Sequence, residues 1–196
     1  NGAYDPTSET REILGKAEER IFAILEDRGA GQVTPIAEVL QESLDRIDAR
    51  MDHQHAFGGV ETGFVDFDQM TGGLQKSELI ILAARPSMGK TALAMNMAEY
   101  AALNGTPVLF VSLEMSGIEL GVRLLCSFAR VNGNRLRNGT ITNDERKKLV
   151  NAAAQISQAP LYIDDSPSRT MTEIAANARR LKRRSGLGLI VVDYLQ

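Results

Sequence analysis

Apolar residues follow a helical period through the N-terminal part of the chain. In residues 10–28 they fall on one stripe with charged residues elsewhere, and Gly29 follows as a stop signal. Thr34 and Pro35 then supply an N-cap and a first-turn proline for a second helix. Its stripe consists of Ile36, Val39, Leu40, Leu44, Ile47 and Met51. We therefore expect two amphipathic helices, whose apolar faces must pack on the main domain or on another chain.

After a polar stretch at 52–60, continuous apolar runs alternate with helical patterns. The predicted strands are 79–83, 108–113, 161–164 and 188–193, and the predicted helices are 91–103, 117–131, 143–157 and 171–184. Uninterrupted apolar strands that alternate with helices indicate an α/β domain with a mainly parallel sheet covered on both faces. In such domains, ligands bind at the carboxyl ends of the strands.

Composition narrows the class of protein without identifying it. The 196 residues are 43% hydrophobic and carry a net charge of -3, so the chain as a whole is not a polybasic nucleic-acid binder. A single cysteine, Cys126, excludes an intrachain disulfide. There is no apolar run of transmembrane length and no signal-peptide core, so we expect a cytoplasmic protein with no membrane partner.

The junction between the first predicted strand and its helix has the layout of a phosphate-binding loop. The candidate nucleotide-binding residues are Ala84, Arg85, Pro86, Ser87, Met88, Gly89, Lys90, Thr91 and Ala92. Backbone N–H groups and a helix N-terminus can bind an anion there, Lys90 can reach the β- and γ-phosphates, and the Thr91 hydroxyl can ligate Mg²⁺. Ala84 stands where the generic pattern has glycine, but the strand before it and the helix after it favour a nucleoside triphosphate site over a plain turn.

Acidic residues lie at or just after the ends of three of the predicted strands. Asp193 ends the last apolar strand, which is the pattern of an acid that holds Mg²⁺ directly or through water. Glu114 follows the strand at 108–113, where a carboxylate could orient and deprotonate an attacking water. For Asp164 and Asp165 we favour the simpler interpretation that they are solubilising turn residues.

Two further features favour ordinary structural roles. The basic run Arg179, Arg180, Lys182, Arg183 and Arg184 could contact DNA, but at a helix C-terminus we favour a solvated face that complements the helix dipole. His53 and His55 lack a third metal ligand nearby and fit a polar linker.

Several motifs, in order, resemble one family. Residues 83–91 resemble the phosphate loop of bacterial replicative hexameric DNA helicases of the DnaB type, a family that commonly carries alanine at the position of Ala84. Residues 112–116 resemble the family's next motif, and residues 193–196 resemble its Walker B segment. The segments 62–74 and 134–139 also fit the family, so the resemblance covers nearly the whole chain.

The resemblance implies a RecA-like P-loop NTPase core in a ring-shaped homo-hexamer that hydrolyses ATP between subunits and moves along single-stranded DNA. Lys90 and Thr91 would bind phosphate and Mg²⁺, Glu114 would be the catalytic base, and Asp193 would be the acid on the metal side. The helix at 10–28 would match the linker helix that docks on the neighbouring subunit. A primase and a helicase loader are implied as partners.

On this basis residues 1–57 are a helical linker or interaction region, and residues 58–196 are the N-terminal part of the ATPase domain, truncated after the Walker B strand. We expect the DNA-contacting loops, the arginine finger and the γ-phosphate sensors beyond Gln196, and therefore little activity from this stretch alone. Two alternatives stay open: another RecA-like ATPase, of recombinase or clock type, and a nucleotide-gated assembly module. An arginine finger and basic loops after residue 196 would favour the motor.

Overall fold

The computed structural model describes residues 34–52 and 58–194. The chain divides into two units, Asn1–Gln54 and His55–Gln196. In the first unit, helix α1 spans Ile36–Asp52, which confirms the second amphipathic helix. Its described apolar stripe is exposed: Ile36, Val39, Leu40, Leu44 and Ile47. The helix predicted at 10–28 lies outside the described residues.

The second unit is built on three parallel strands, β1 (Val108–Ser112), β2 (Leu161–Asp164) and β3 (Leu189–Asp193). Their order in the sheet is β2-β1-β3. The register sets Ser112 of β1 beside Asp193 of β3, so the carboxyl ends of these two strands are level. The predicted parallel sheet is therefore confirmed for three of its four strands.

Helices on both faces of β1 bury the strand completely. The helices of this unit are α2 (Val65–Thr71), α3 (Lys90–Leu103), α4 (Gly117–Ala129), α5 (Gly133–Arg137), α6 (Asn143–Ile156) and α7 (Met171–Ser185). Phe110 packs with residues of α3 and α4 on one face, whereas Val111 packs with Ile174 of α7 on the other. Because successive strand residues point to opposite faces, one apolar strand holds together two helical layers.

Two short helices are absent from the sequence predictions. Helix α2 has 7 residues and α5 has 5, which is too short for a helical period to be recognised. The four longer helices of this unit agree with their predicted positions to within two residues. Within the two described ranges, the helices are all too short or too polar to cross a membrane.

The prediction of a strand at 79–83 is wrong for this structure. These residues have no regular secondary structure, and Leu79 and Ile81 are 87% and 82% exposed. A strand is held by the N–H and C=O groups of a neighbouring strand, and the ladders of this sheet pair β1 with β2 and with β3. Among the described residues no strand pairs with 79–83, so an apolar sequence with strand character stays at the surface.

Candidate nucleotide-binding site

The predicted phosphate loop folds into an exposed turn that leads directly into helix α3. The Met88 N–H donates to the Arg85 carbonyl at 3.2 Å, and the backbone is left-handed at Ser87 (φ 63°) and at Gly89 (φ 88°). Left-handed residues in such a turn orient successive N–H groups toward one side, which suits them to bind an anion. All residues from Ala84 to Gly89 are exposed, so a ligand can reach this backbone.

The N-terminus of α3 is open to an incoming group. Its N-cap is Gly89, which has no side chain to bond the first N–H groups of the helix, and a Cβ added there would meet nothing within 4 Å. Thr91 is half-buried in the first turn, and within the described ranges its hydroxyl makes no hydrogen bond. The local structure therefore fits a phosphate at the helix end with a hydroxyl free to ligate a cation.

The structure places Lys90 directly against the acid at the end of β3. The Lys90 Nζ lies 3.2 Å from the Asp193 Oδ1, and the Asp193 side chain is only 7% exposed. The same ammonium group lies 4.0 Å from the centre of the Tyr194 ring, within the range of a cation–π interaction. Residues more than one hundred positions apart in the sequence thus meet at the carboxyl edge of the sheet.

Glu114 belongs to the loop that follows β1, on the strand next to β3. The Leu113 N–H donates to the Asp193 carbonyl at 2.8 Å, so the loop starts beside Asp193. The Glu114 side chain is exposed, and its carboxylate has no hydrogen bond or ion pair to any other residue that the structure describes. A carboxylate in this state can accept a proton from a substrate water.

Asp164, which ends β2, and Asp165, which follows it, both make structural contacts. The Asp164 carboxylate accepts hydrogen bonds from the Ser166 N–H at 3.2 Å and from the Asn177 side chain at 3.0 Å, and Arg169 lies 3.5 Å away. Burial alone would raise the pKa of Asp164, but the hydrogen bonds and the Arg169 charge outweigh it and lower the pKa. Asp165 accepts from the Gly117 N–H at 2.6 Å, at the start of α4.

A second buried carboxylate fixes the segment that precedes the phosphate loop. Asp68 is 3% exposed and accepts hydrogen bonds from the Thr62 N–H, the Thr62 hydroxyl at 2.7 Å and the Gly63 N–H at 3.1 Å. Gly63 lies so close to α3 that a Cβ there would come within 2.5 Å of the Tyr100 ring. This segment therefore braces the helix that carries Lys90.

Sequence reasoning misses the structural roles of three residues that shape this region: Asp68, Ser112 and Asp165. Each makes hydrogen bonds to backbone groups, and of the three only Asp165 bonds a group far away in the sequence, 48 residues distant. A sequence cue exists for Ser112, since a serine in a continuous apolar strand must find a partner for its hydroxyl.

An α/β domain with a predicted phosphate loop before a helix, whose lysine meets an acid at the end of a parallel strand, has the features of a P-loop ATPase domain, and its similarity to solved helicase ATPase domains places the fold in the RecA-like class. The DnaB-like helicase C-terminal domain family matches residues 59–196. Because this match covers more than half of the chain, the chain belongs to that family.

Individual relatives agree with this assignment. The chain is 40% identical over 194 residues to the replicative DNA helicase DnaB of Geobacillus stearothermophilus, covering 98% of this chain and 43% of the relative. It is 39% identical to the replicative DNA helicase DnaC of Bacillus subtilis, with the same shares covered. The chain therefore spans less than half the length of these curated relatives.

Solved structures support the same fold. A solved ATPase domain superimposes with a TM-score of 0.76 at 30% identity, over 82% of this chain and 57% of that one. A DnaB-like replicative helicase, whose structure was described together with its interactions with primase, gives a TM-score of 0.71 at 28% identity, over 90% of this chain and 43% of that one.

Proposed function

We propose that this chain is the linker and the first part of the ATPase domain of a replicative DNA helicase. The intact protein would couple ATP hydrolysis at subunit interfaces to movement along single-stranded DNA and to unwinding of the duplex. The observation that carries the proposal is the 3.2 Å contact between Lys90 and Asp193, with the free Glu114 carboxylate following the adjacent strand. Membership of the DnaB-like family supports the choice of a helicase among P-loop ATPases.

Each part of the candidate site has a distinct task in this proposal. Residues 84–92 hold the triphosphate of ATP through backbone N–H groups, and Lys90 compensates the charge of its β- and γ-phosphates. Thr91 and Asp193 would hold Mg²⁺, since one offers a free hydroxyl and the other a buried carboxylate. When bound, Mg²⁺ neutralises charge on the phosphate oxygens.

The proposed general base is Glu114. Its carboxylate is free among the described residues and belongs to the loop that starts beside Asp193, the acid that contacts Lys90. It would orient the attacking water and accept its proton, whereas Lys90 and Asp193 keep the opposite charges that bind phosphate and metal. This division assigns one role to each charged side chain in the site.

The proposed partners follow from the family and from the exposed helix α1. We propose a homo-hexamer, single-stranded DNA bound through regions beyond Gln196, and contacts with a primase and a helicase loader in the cytoplasm. The structure of one related helicase was described together with its interactions with primase, which supports primase as a partner. The exposed apolar stripe of α1 supports a contact with another chain.

The deciding experiment measures ATP hydrolysis by the intact protein with and without single-stranded DNA, together with unwinding of a forked duplex. We expect turnover that DNA stimulates and unwinding that requires ATP. ATP turnover that does not respond to DNA, together with the absence of unwinding, would contradict the helicase proposal and favour a nucleotide-gated assembly module. We also propose that residues 1–196 alone hydrolyse little ATP, which the same assay on the isolated stretch checks.

A further inference from the structure

We infer that Ser112 is a positioning residue for hydrolysis, because its buried hydroxyl closes the loop that carries Glu114, and that Asp165 anchors the far end of the same loop. This inference rests on the proposed role of Glu114 as general base. Neither residue is required to touch the nucleotide. Each would act by fixing where the Glu114 carboxylate stands at the edge of the sheet.

The Ser112 hydroxyl makes hydrogen bonds to both the N–H and the carbonyl of Met115. Its Oγ donates to the Met115 carbonyl at 2.7 Å and accepts from the Met115 N–H at 3.1 Å. Ser112 is the last residue of β1 and only 2% exposed, so water cannot easily replace these bonds. The loop Leu113–Glu114–Met115 is thereby closed on itself, with Glu114 at its centre.

Both ends of this loop are tied to neighbouring strands. At the near end, the Leu113 N–H donates to the Asp193 carbonyl at the end of β3. At the far end, Ser116 caps α4, and the next N–H, that of Gly117, donates to the Asp165 carboxylate at 2.6 Å after β2. A Cβ on Gly117 would lie 3.1 Å from the same carboxylate oxygen, so the two segments approach closely.

The arrangement matters because Glu114 itself has no partner among the described residues that would fix its position. Its placement depends on the backbone of a three-residue loop, and that backbone depends on Ser112 and Asp165. A general base displaced by about 1 Å can lose on the order of 100-fold in rate, although ATP binding through the separate phosphate loop is unchanged. A positioning role therefore predicts a loss in kcat without a loss in affinity.

The test uses Ser112→Ala in the intact protein, with DNA-stimulated ATP turnover and nucleotide binding measured separately. Alanine removes only the hydroxyl, so the fold should survive. We expect kcat to fall about ten-fold and the Kd for ATP to change by less than about two-fold. Unchanged kcat, or a kcat loss matched by an equal loss of affinity, would overturn the inference.

A double variant separates positioning from general damage. If Ser112 acts through Glu114, Ser112→Ala should have no further effect on the residual turnover of Glu114→Gln. A further ten-fold loss in that background would show that Ser112 acts elsewhere. A normal rate in Glu114→Gln alone would instead refute the proposed base, so the two failures are distinguishable.

Variants of Asp165 provide a second test of the proposal if Ser112→Ala does not fold. Asp165→Ala removes an exposed acceptor and should lower kcat about three- to ten-fold at unchanged ATP affinity. Asp165→Asn keeps an oxygen that can accept from the Gly117 N–H and should restore most of that loss. Equal rates in the wild type and Asp165→Ala would overturn the role of this anchor.

Discussion

Strand β1 and residues 79–83 have nearly the same apolar character but opposite surroundings. Every residue of β1 is buried, and it pairs with a strand on each edge. Residues 79–83 are all exposed and pair with no strand among the described residues. An apolar run can therefore predict the tendency to form a strand, but burial depends on a partner for its backbone.

The same contrast runs through the candidate site. Glu114 follows β1 and Asp193 ends β3, and the hydrogen bond from the Leu113 N–H to the Asp193 carbonyl joins the two segments. The predicted phosphate loop follows residues 79–83 and leads into helix α3, whose first residue, Lys90, contacts Asp193. One part of the site is fixed by the sheet, and the other is joined to it through a lysine.

The strongest test of this junction is Lys90→Ala. The lysine joins the two parts of the site and would compensate phosphate charge, so we expect ATP turnover by the intact protein to fall at least about 10³-fold, or ~4 kcal/mol. Turnover and binding of a fluorescent ATP analogue provide the measurement. Lys76→Ala, at an exposed lysine before the loop, is the matched control and should behave as the wild type. Normal turnover in Lys90→Ala would refute the phosphate-loop assignment.

Two variants test whether β1 and residues 79–83 differ in their contribution to the free energy of unfolding. Phe110 is fully buried, so Phe110→Ala should lower the free energy of unfolding by about 3–5 kcal/mol. Ile81 is 82% exposed, so Ile81→Ala should cost less than about 0.5 kcal/mol in residues 1–196. Urea denaturation followed by circular dichroism measures both.

A large cost for Ile81→Ala in residues 1–196 would contradict the exposed state of 79–83. The same variant in the intact protein sharpens the comparison. A cost close to that of Phe110→Ala there would mean that other parts of the protein cover this segment.

The parts of this fold that depend on local pattern can be predicted from the sequence. Helices such as α4 and α7 have both an apolar period and a capping box, and the strands at 108–113 and 188–193 are continuous apolar runs. The meeting of Lys90 with Asp193 does not depend on the predicted strand at 79–83, because the contact forms from the first turn of α3 to the carboxyl end of β3 although that strand is absent.

The rest requires the three-dimensional structure because it depends on pairing and on backbone contacts. Residues 79–83 do not form a strand because no strand among the described residues lies beside them to pair with. The local sequence pattern carries no information about such a partner. The bond from Gly117 to Asp165 joins residues 48 positions apart, and nothing in either segment marks its partner. The roles of residues 84–92, Glu114 and Asp193 remain predictions that the variants test.

The part of the site fixed by the sheet is tested by Glu114→Gln. Glutamine keeps the shape of the side chain but cannot accept a proton, so we expect hydrolysis to fall about 10²-fold, or ~2.7 kcal/mol, with ATP binding nearly intact. Single-turnover hydrolysis and equilibrium nucleotide binding measure the two effects. Glu78→Gln, at an exposed glutamate, is the matched control. If binding falls and turnover per bound ATP does not, Glu114 is not the base.

The smallest expected effect concerns the end of the edge strand β2, where Asp164→Asn removes a charge that the folded protein stabilises. Because the pKa of Asp164 is lowered in the folded protein, its ionised form stabilises the fold above the unfolded pKa of about 3.9, and this contribution is lost as the pH falls through the folded value. We expect Asp164→Asn to cost about 1–2 kcal/mol at neutral pH, and the difference from the wild type to shrink below about pH 4. Urea denaturation between pH 7 and pH 3 measures both. Asp144→Asn, at a side chain that is 87% exposed, is the matched control and should cost less than about 0.5 kcal/mol at neutral pH. A cost for Asp164→Asn that is equal at both ends of the pH range would mean that shape rather than charge holds this edge of the sheet.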